Sequence, residues 1–258
     1  MGNTILLSLD VEEFDLPREY GININDARAI ETSLSGLIKV ISLIDKLGIT
    51  VTCFTTAHFA LTATSLIKDI SERHEIACHG YTHSGNGSAD ILMAKTTLED
   101  IIGRPVVGYR HPRLCNISAE MLTDTGFLYD SSMNPTWLPG RYMNLTKPRL
   151  PFRAGKLWVL PVSVTPIIRF PLFWLSFKTL PMELYKSLTT WTLRCDGYLN
   201  IYFHPWEFED LSGFDIPFMI KKTSGDALIK RLGEFLKWLK GKGDFLSMDR
   251  FIRTKNCN

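Results

Sequence analysis

Excess charge is the first thing this chain lacks. Its 258 residues include 29 Lys and Arg against 27 Asp and Glu, a formal net charge of +2. So even a balance gives no electrostatic case for nucleic acid, which is normally held by a clustered basic face. Cysteine is scarce too. Cys53, Cys78, Cys115, Cys195 and Cys257 are an odd set, with no two closer than 25 positions. They form neither a disulfide framework nor a zinc-knuckle spacing, so the expectation is reduced, mostly buried thiols. An uninterrupted apolar run is also missing. The most apolar stretch, 159–177, contains Arg169 and three prolines, Pro161, Pro166 and Pro171, and proline removes hydrogen bonds that a spanning helix needs. Phe170, Phe173, Trp174, Leu175 and Phe177 remain a candidate for peripheral membrane contact, beside their plainer reading as core or as the wall of a site. The start has no basic segment followed by an apolar core, and Leu6 stands where a myristoylation motif wants Ser or Thr, so the expected location is cytoplasmic. The rest of the composition, 45% hydrophobic and 22% charged, excludes disordered, collagen-like and coiled-coil chains. A chain this long buries a sizeable core without staples.

What is present is an alternation. Short apolar runs at 5–9, 49–54, 75–78, 106–109, 128–130, 158–164, 198–203 and 245–248 read as strands. Amphipathic stretches at 26–47, 65–73, 89–102, 118–125, 182–194 and 226–240 read as helices, the first capped at Asp26 and stopped by Gly48. Repeated βα units imply a parallel sheet with helices outside. Seven or eight units predict a distorted barrel spanning 1–258 as one domain, since no repeat, linker or low-complexity segment divides it.

Barrels of this kind place reactive residues at the carboxyl ends of their strands, and five strand ends here are unusually polar. Asp10 and Glu12, two apart, share a face at the end of the first strand, and such close carboxylates repel unless a cation or a shared proton relieves them. His79 and His83 follow the third strand. Four-residue spacing puts two imidazoles on one face if the segment turns helically, and with one carboxylate they form a two-His-one-carboxylate metal set with open positions. Arg110 follows the fourth strand, and an arginine beside a carboxylate favours its ionised form. Tyr129-Asp130-Ser131-Ser132 ends the fifth. His204 follows the very apolar strand 198–203. The convergence of all five is the signal, since each alone has a structural reading.

The order of these motifs resembles the polysaccharide deacetylase family, the NodB-homology group or carbohydrate esterase family 4. The family's first motif usually reads Thr-Phe-Asp-Asp, against Ser8-Leu9-Asp10-Val11-Glu12 here. Its His-x-x-x-His is matched by His79 and His83, its Arg-x-Pro by Arg110-His111-Pro112, and its late His by His204. The resemblance spans residues 5 to about 207 and implies roles. Asp10 matches the general base, His79 and His83 the metal ligands, and His204 the general acid. Arg110 resembles the residue that holds the base. Asp130 is similar in position to an acid that orients the catalytic His. The backbone N–H of Arg113 falls where the family places an oxyanion donor. The family's metal carboxylate is the Asp next to the base, a position taken here by Val11. Glu12 becomes the third ligand, as in an Asp-x-Glu variant.

The resemblance implies a metal-dependent hydrolase, most simply a zinc enzyme, removing N-acetyl groups from an amino-sugar-containing saccharide. Tyr109, Trp137 and Trp206 are candidate sugar-stacking walls. An allantoinase-like hydrolase of a small cyclic amide and a non-catalytic glycan-binding module are the competing readings. A metal-free glycosidase using Asp10 and Glu12 is disfavoured, because two residues on one short strand would struggle to flank a glycosidic bond at the usual separation of roughly 5 Å or more.

Overall fold

The computed structural model describes residues 2–83 and 88–256. Eleven strands are found among them: β1 (Thr4–Val11), β2 (Thr52–Thr55), β3 (Glu75–Cys78), β4 (Gly108–Tyr109), β5 (Tyr129–Asp130), β6 (Trp137–Leu138), β7 (Tyr142–Met143), β8 (Phe152–Ala154), β9 (Leu157–Val159), β10 (Tyr198–Phe203) and β11 (Asp244–Phe245). Nine form one sheet in the order β10-β1-β2-β3-β4-β5-β9-β8, with β11 also on β1; β6 and β7 pair separately as an antiparallel hairpin. Every pairing in the large sheet is parallel except β8 with β9. The sheet curls into a half-barrel of the distorted (β/α)7–8 kind. Strands buried on both faces must be apolar throughout, and β1 and β10 are buried over nearly all of their length.

The ring is closed by side chains and loop backbone rather than by a further ladder. The Ser163 N–H donates to Asn200 O at 2.9 Å, and the Asn200 N–H donates to Ser163 Oγ at 2.8 Å. The Asn200 amide also donates to Leu160 O, Pro161 O and Ser131 Oγ, each at 3.1 Å. The expected strand 158–164 is therefore only β9, its remainder being this joint.

The helix Asp26–Lys46 buries Ile30, Leu37, Val40, Ile41 and Ile44 along one face, each worth roughly 1.5–3 kcal/mol when taken fully from water. Its cap is Asn25, which accepts from the Arg28 N–H at 2.8 Å, one residue before the expected Asp26. Gly48 ends it at φ 61°, in the left-handed region. Gly36 lets this helix lie flush on the segment after β10. A Cβ there would stand 1.9 Å from Pro205 O.

Several expectations are corrected. The expected helix 65–73 is found as Thr64–Ser71, preceded by an unexpected one at Ala57–Thr62, and the strand 245–248 is only β11, because Met248 already begins a helix. Cys53 and Cys78 are buried as expected, but Cys115 and Cys195 are exposed; Cys257 lies outside the described residues.

Candidate active site

Parallel register brings the strand ends to one level. Asp10 is paired with Phe54, Cys78 with Tyr109, and Tyr109 with Asp130. The residues just beyond them continue the pattern, with His79 N–H on Thr55 O and Arg110 N–H on Cys78 O. The polar residues that follow each strand therefore open onto one cavity of about 330 Å³, lined by Asp10, Glu12, His79, His83 and His204 among others.

Segment 79–83 does not turn helically. It bends through Gly80 at φ 82°, and the two imidazoles meet by this bend instead. His79 Nδ1 donates to Arg110 O at 2.8 Å, so in the neutral ring Nε2 carries the lone pair. His83 Nδ1 lies 2.8 Å from Asp15 Oδ1. The two Nε2 atoms face the same oxygen, Glu12 Oε2, at 3.0 and 3.3 Å. Burial raises the Glu12 pKa, but the charge of His83 and the hydrogen bond and charges of the other imidazoles outweigh it, and the net value falls to about 2. Burial lowers His83, but Glu12 and Asp15 reverse this and lift it to about 9.

Glu12 contacts both imidazoles directly, and no group of three His, Cys, Asp or Glu among the described residues is set out around an ion. The donor set nevertheless fits a divalent cation. Ligands about 2.0–2.2 Å from a tetrahedral ion sit a little over 3 Å apart, and Glu12 Oε2 stands 3.0 and 3.3 Å from the two Nε2 atoms. Each imidazole also gives its other nitrogen to a carbonyl or carboxylate, the support that orients metal-binding histidines.

Arg110 is fully buried behind Asp10. Its Nη1 donates to Asp10 Oδ1 at 2.6 Å and to Ser8 Oγ at 2.9 Å, while Nε and Nη2 bond Ser131. The guanidinium also lies 4.1 Å from the Phe54 ring centre. A buried cation needs this full set of partners. His204 Nε2 lies 4.0 Å from both Asp10 Oδ2 and Glu12 Oε1. Its Nδ1 meets Glu207 Oε1 at 3.0 Å, and the fully buried Glu207 also lies 3.5 Å from the buried Lys178 Nζ. Burial lowers the His204 pKa, but the Glu207 bond and the surrounding carboxylates more than offset it, so the net shift is upward.

Residues 35–125 match the family model of polysaccharide deacetylase. The resemblance read from the sequence holds. The matched segment contains His79, His83 and Arg110, while Asp10, Glu12 and His204 lie outside it. The same fold recurs in a Mycobacterium smegmatis protein assigned as a polysaccharide deacetylase, at TM-score 0.65 and 20% identity over 98% of this chain and 91% of that one. A Pseudomonas aeruginosa protein with the same assignment gives TM-score 0.68 and 15% identity over 97% and 89%. An allantoinase gives TM-score 0.66 and 15% identity over 97% and 89%. At these identities the likeness speaks for the fold. No curated protein matches the chain at a significant level.

Within this deacetylase fold, some expected residues stand elsewhere. Tyr109 is buried in the core against Phe127 and does not reach the cavity, because its side chain points to the helix side of β4. Trp137 is 55% exposed on the β6–β7 hairpin; it is its neighbour Leu138 that lines the cavity. Asp130 does not touch His204. Its Oδ1 accepts from the Ser132 N–H at 3.0 Å and from the Ser132 hydroxyl, and the carboxylate on His204 is Glu207. Trp206 does line the cavity, its ring stacked on His204 at 4.8 Å. Arg113, at φ 58°, begins a pair of left-handed residues with Leu114 at φ 53° on the cavity rim. Such strain outside glycine is concentrated at functional sites.

Asp15, Glu19 and Glu207 escaped the sequence reading, while Trp174 lines the cavity, as the plainer reading of its stretch as the wall of a site has it. Glu207 lies three residues past His204 in a capping arrangement, a spacing signal that was available. Glu19, which pairs with both Arg113 and Arg141 across the rim, carries no such signal.

Proposed function

We propose that the chain is a metal-dependent hydrolase that removes N-acetyl groups from an amino-sugar-containing saccharide. The observation that carries this reading is the pair of tethered imidazoles aimed at one carboxylate, with Asp10 and His204 on the same cavity. Glu12, His79 and His83 hold the divalent cation, most simply zinc, and when bound it supplies a Lewis acid that brings the pKa of water toward about 7. Asp10 accepts the proton of the attacking water at Oδ2, since Oδ1 is held by Arg110. The backbone N–H of Arg113 faces the oxyanion, an interaction commonly worth about 3 kcal/mol. His204 gives a proton from Nε2 to the departing nitrogen, its ring fixed by Glu207 and its raised pKa favouring the protonated form. Trp206 and Trp174, 5.7 Å apart at 77°, provide aromatic walls of the kind sugar rings pack on.

Acetate release from chitooligosaccharides by zinc-loaded protein tests this reading. The expectation is turnover that His79→Ala abolishes and that Asp10→Asn cuts by about 10²–10⁴-fold. Zinc-loaded protein that releases no acetate overturns it, and a ring-opened acid formed from a cyclic amide instead assigns the allantoinase-like chemistry.

A further inference from the structure

The near-neutral charge of the chain hides a strong asymmetry. Residues 131–182 contain seven Lys and Arg and no Asp or Glu, leaving 22 Lys and Arg against 27 Asp and Glu in the remainder; Arg141, Arg149 and the buried Lys178 are paired with Glu19, Asp196 and Glu207 from outside the segment, while Lys147 and Arg169 stay with the exposed loop and hairpin. This segment forms one side of the cavity mouth, through Leu138, Pro139 and Arg141. It also presents large apolar side chains to solvent. Ile167 is 88% exposed, Ile168 66%, Met143 75% and Trp137 55%.

These four stand on a braced platform. Trp137 and Met143 are direct cross-strand partners in the hairpin. The two isoleucines crown a tight loop closed by Thr165 N–H on Phe170 O, 2.9 Å, and by a bridge between Val164 and Pro171. Ile167 at φ 64° and Arg169 at φ 54° are both left-handed, a costly conformation for a β-branched residue. Arg169 ties the loop to the hairpin. Its carbonyl accepts from the Thr136 hydroxyl at 2.7 Å, and its guanidinium donates to the carbonyls of Pro135 and Lys147. Bonded to carbonyls, Arg169 keeps its net charge beside the isoleucines. Lys147 is exposed and has no acidic partner among the described residues.

Apolar tips held rigidly beside the cations of Arg169 and Lys147 match the chemistry of an anionic lipid surface, where aliphatic groups enter the interface and Lys and Arg meet the headgroups. A second copy of this face would oppose like charges, and the phosphates of a nucleic acid make no use of protruding isoleucines. We propose that this face docks the protein peripherally on an anionic membrane, with the cavity mouth beside the lipid. No helix among the described residues is long and apolar enough to cross a membrane. The earlier candidate stretch is not the contact: Phe177 is buried, Phe173 and Trp174 line the cavity, and Phe170 is half-buried. The docking is independent of the chemistry proposed above, so either can fail without the other.

The test is sedimentation of the full chain with vesicles of phosphatidylcholine, with and without about one-third phosphatidylglycerol. The expected result is binding at least tenfold tighter to the anionic vesicles, weakened by salt, with a blue shift of tryptophan emission. The double variant I167S/I168S is expected to lose about tenfold in partitioning, with its melting temperature and its turnover of a soluble substrate unchanged. Each Lys or Arg near the surface is worth roughly fivefold, so K147E weakens binding further. No binding to anionic vesicles, or equal binding by I167S/I168S, overturns the proposal. Equal binding of both proteins to heparin, with neither on vesicles, overturns it in favour of a soluble polyanion.

Discussion

Asp130 offers a test of how burial is handled at the strand ends. Its carboxyl is buried at the end of β5, and burial lifts its pKa from 3.8 to about 6 against the opposing effect of the Ser132 bonds and the Arg110 charge. A carboxyl whose folded pKa is raised contributes stability below its unfolded value near 3.8, and that contribution disappears as pH climbs through about 6. The ionised group thus costs about 3 kcal/mol at pH 8 and roughly half of that at pH 5. Asp130→Asn keeps an oxygen for the Ser132 N–H and hydroxyl and removes the charge. Urea unfolding is expected to show the variant more stable than the parent by up to about 3 kcal/mol at pH 8, with a smaller gain at pH 5. Because Glu207 rather than Asp130 holds His204, kcat on an N-acetylated oligosaccharide should stay within about twofold. A variant less stable at pH 8, a gain that does not grow between pH 5 and pH 8, or a collapse of turnover would refute the reasoning.

Three other substitutions probe the support around the site. Asp15→Ala removes the partner of His83 Nδ1 and should weaken zinc binding about 10–100-fold, read by competition with a chromophoric chelator. Glu207→Ala strands the buried Lys178 cation and should cost about 3–5 kcal/mol in unfolding free energy. The double variant E207Q/K178M should recover much of that stability while turnover stays low, separating the structural from the catalytic loss. Gly36→Ala forces a Cβ against Pro205 O and should cost about 1–3 kcal/mol and slow turnover, since the displaced segment begins at His204; an unchanged melting temperature would show that the helix can retreat freely.

The architecture was legible because parallel strands buried on both sides must be apolar runs, and β1, β3 and β10 stand out as such in the sequence. Strand ends could be read as a site because carboxylates and imidazoles directly after apolar runs have few structural uses. Asp10, Glu12, His79, His83 and His204 therefore reach one cavity from three separate parts of the chain. What escaped has a common cause: it depends on which way a side chain points. Tyr109 and Arg110 are adjacent, yet one packs against Phe127 and the other reaches Asp10, and composition does not distinguish them. Asp130 was the expected partner of His204, and it is the backbone turn after β10 that brings Glu207 there instead. The hairpin β6–β7 and the 164–171 loop were invisible because their contacts are antiparallel, short and remote from the βα rhythm.

The joint at Asn200 links closure of the barrel to the candidate base. Ser131 Oγ receives the Asn200 amide on one side and the Arg110 guanidinium on the other, while Arg110 grips Asp10. The carboxylate is thus anchored, through three side chains, to the joint between β10 and the segment after β9. Breathing of the ring at this joint would be transmitted to the Asp10 carboxylate through Oδ1, the oxygen that Arg110 holds. In this molecule, fastening the ring and holding Asp10, the proposed base, depend on the same few side chains.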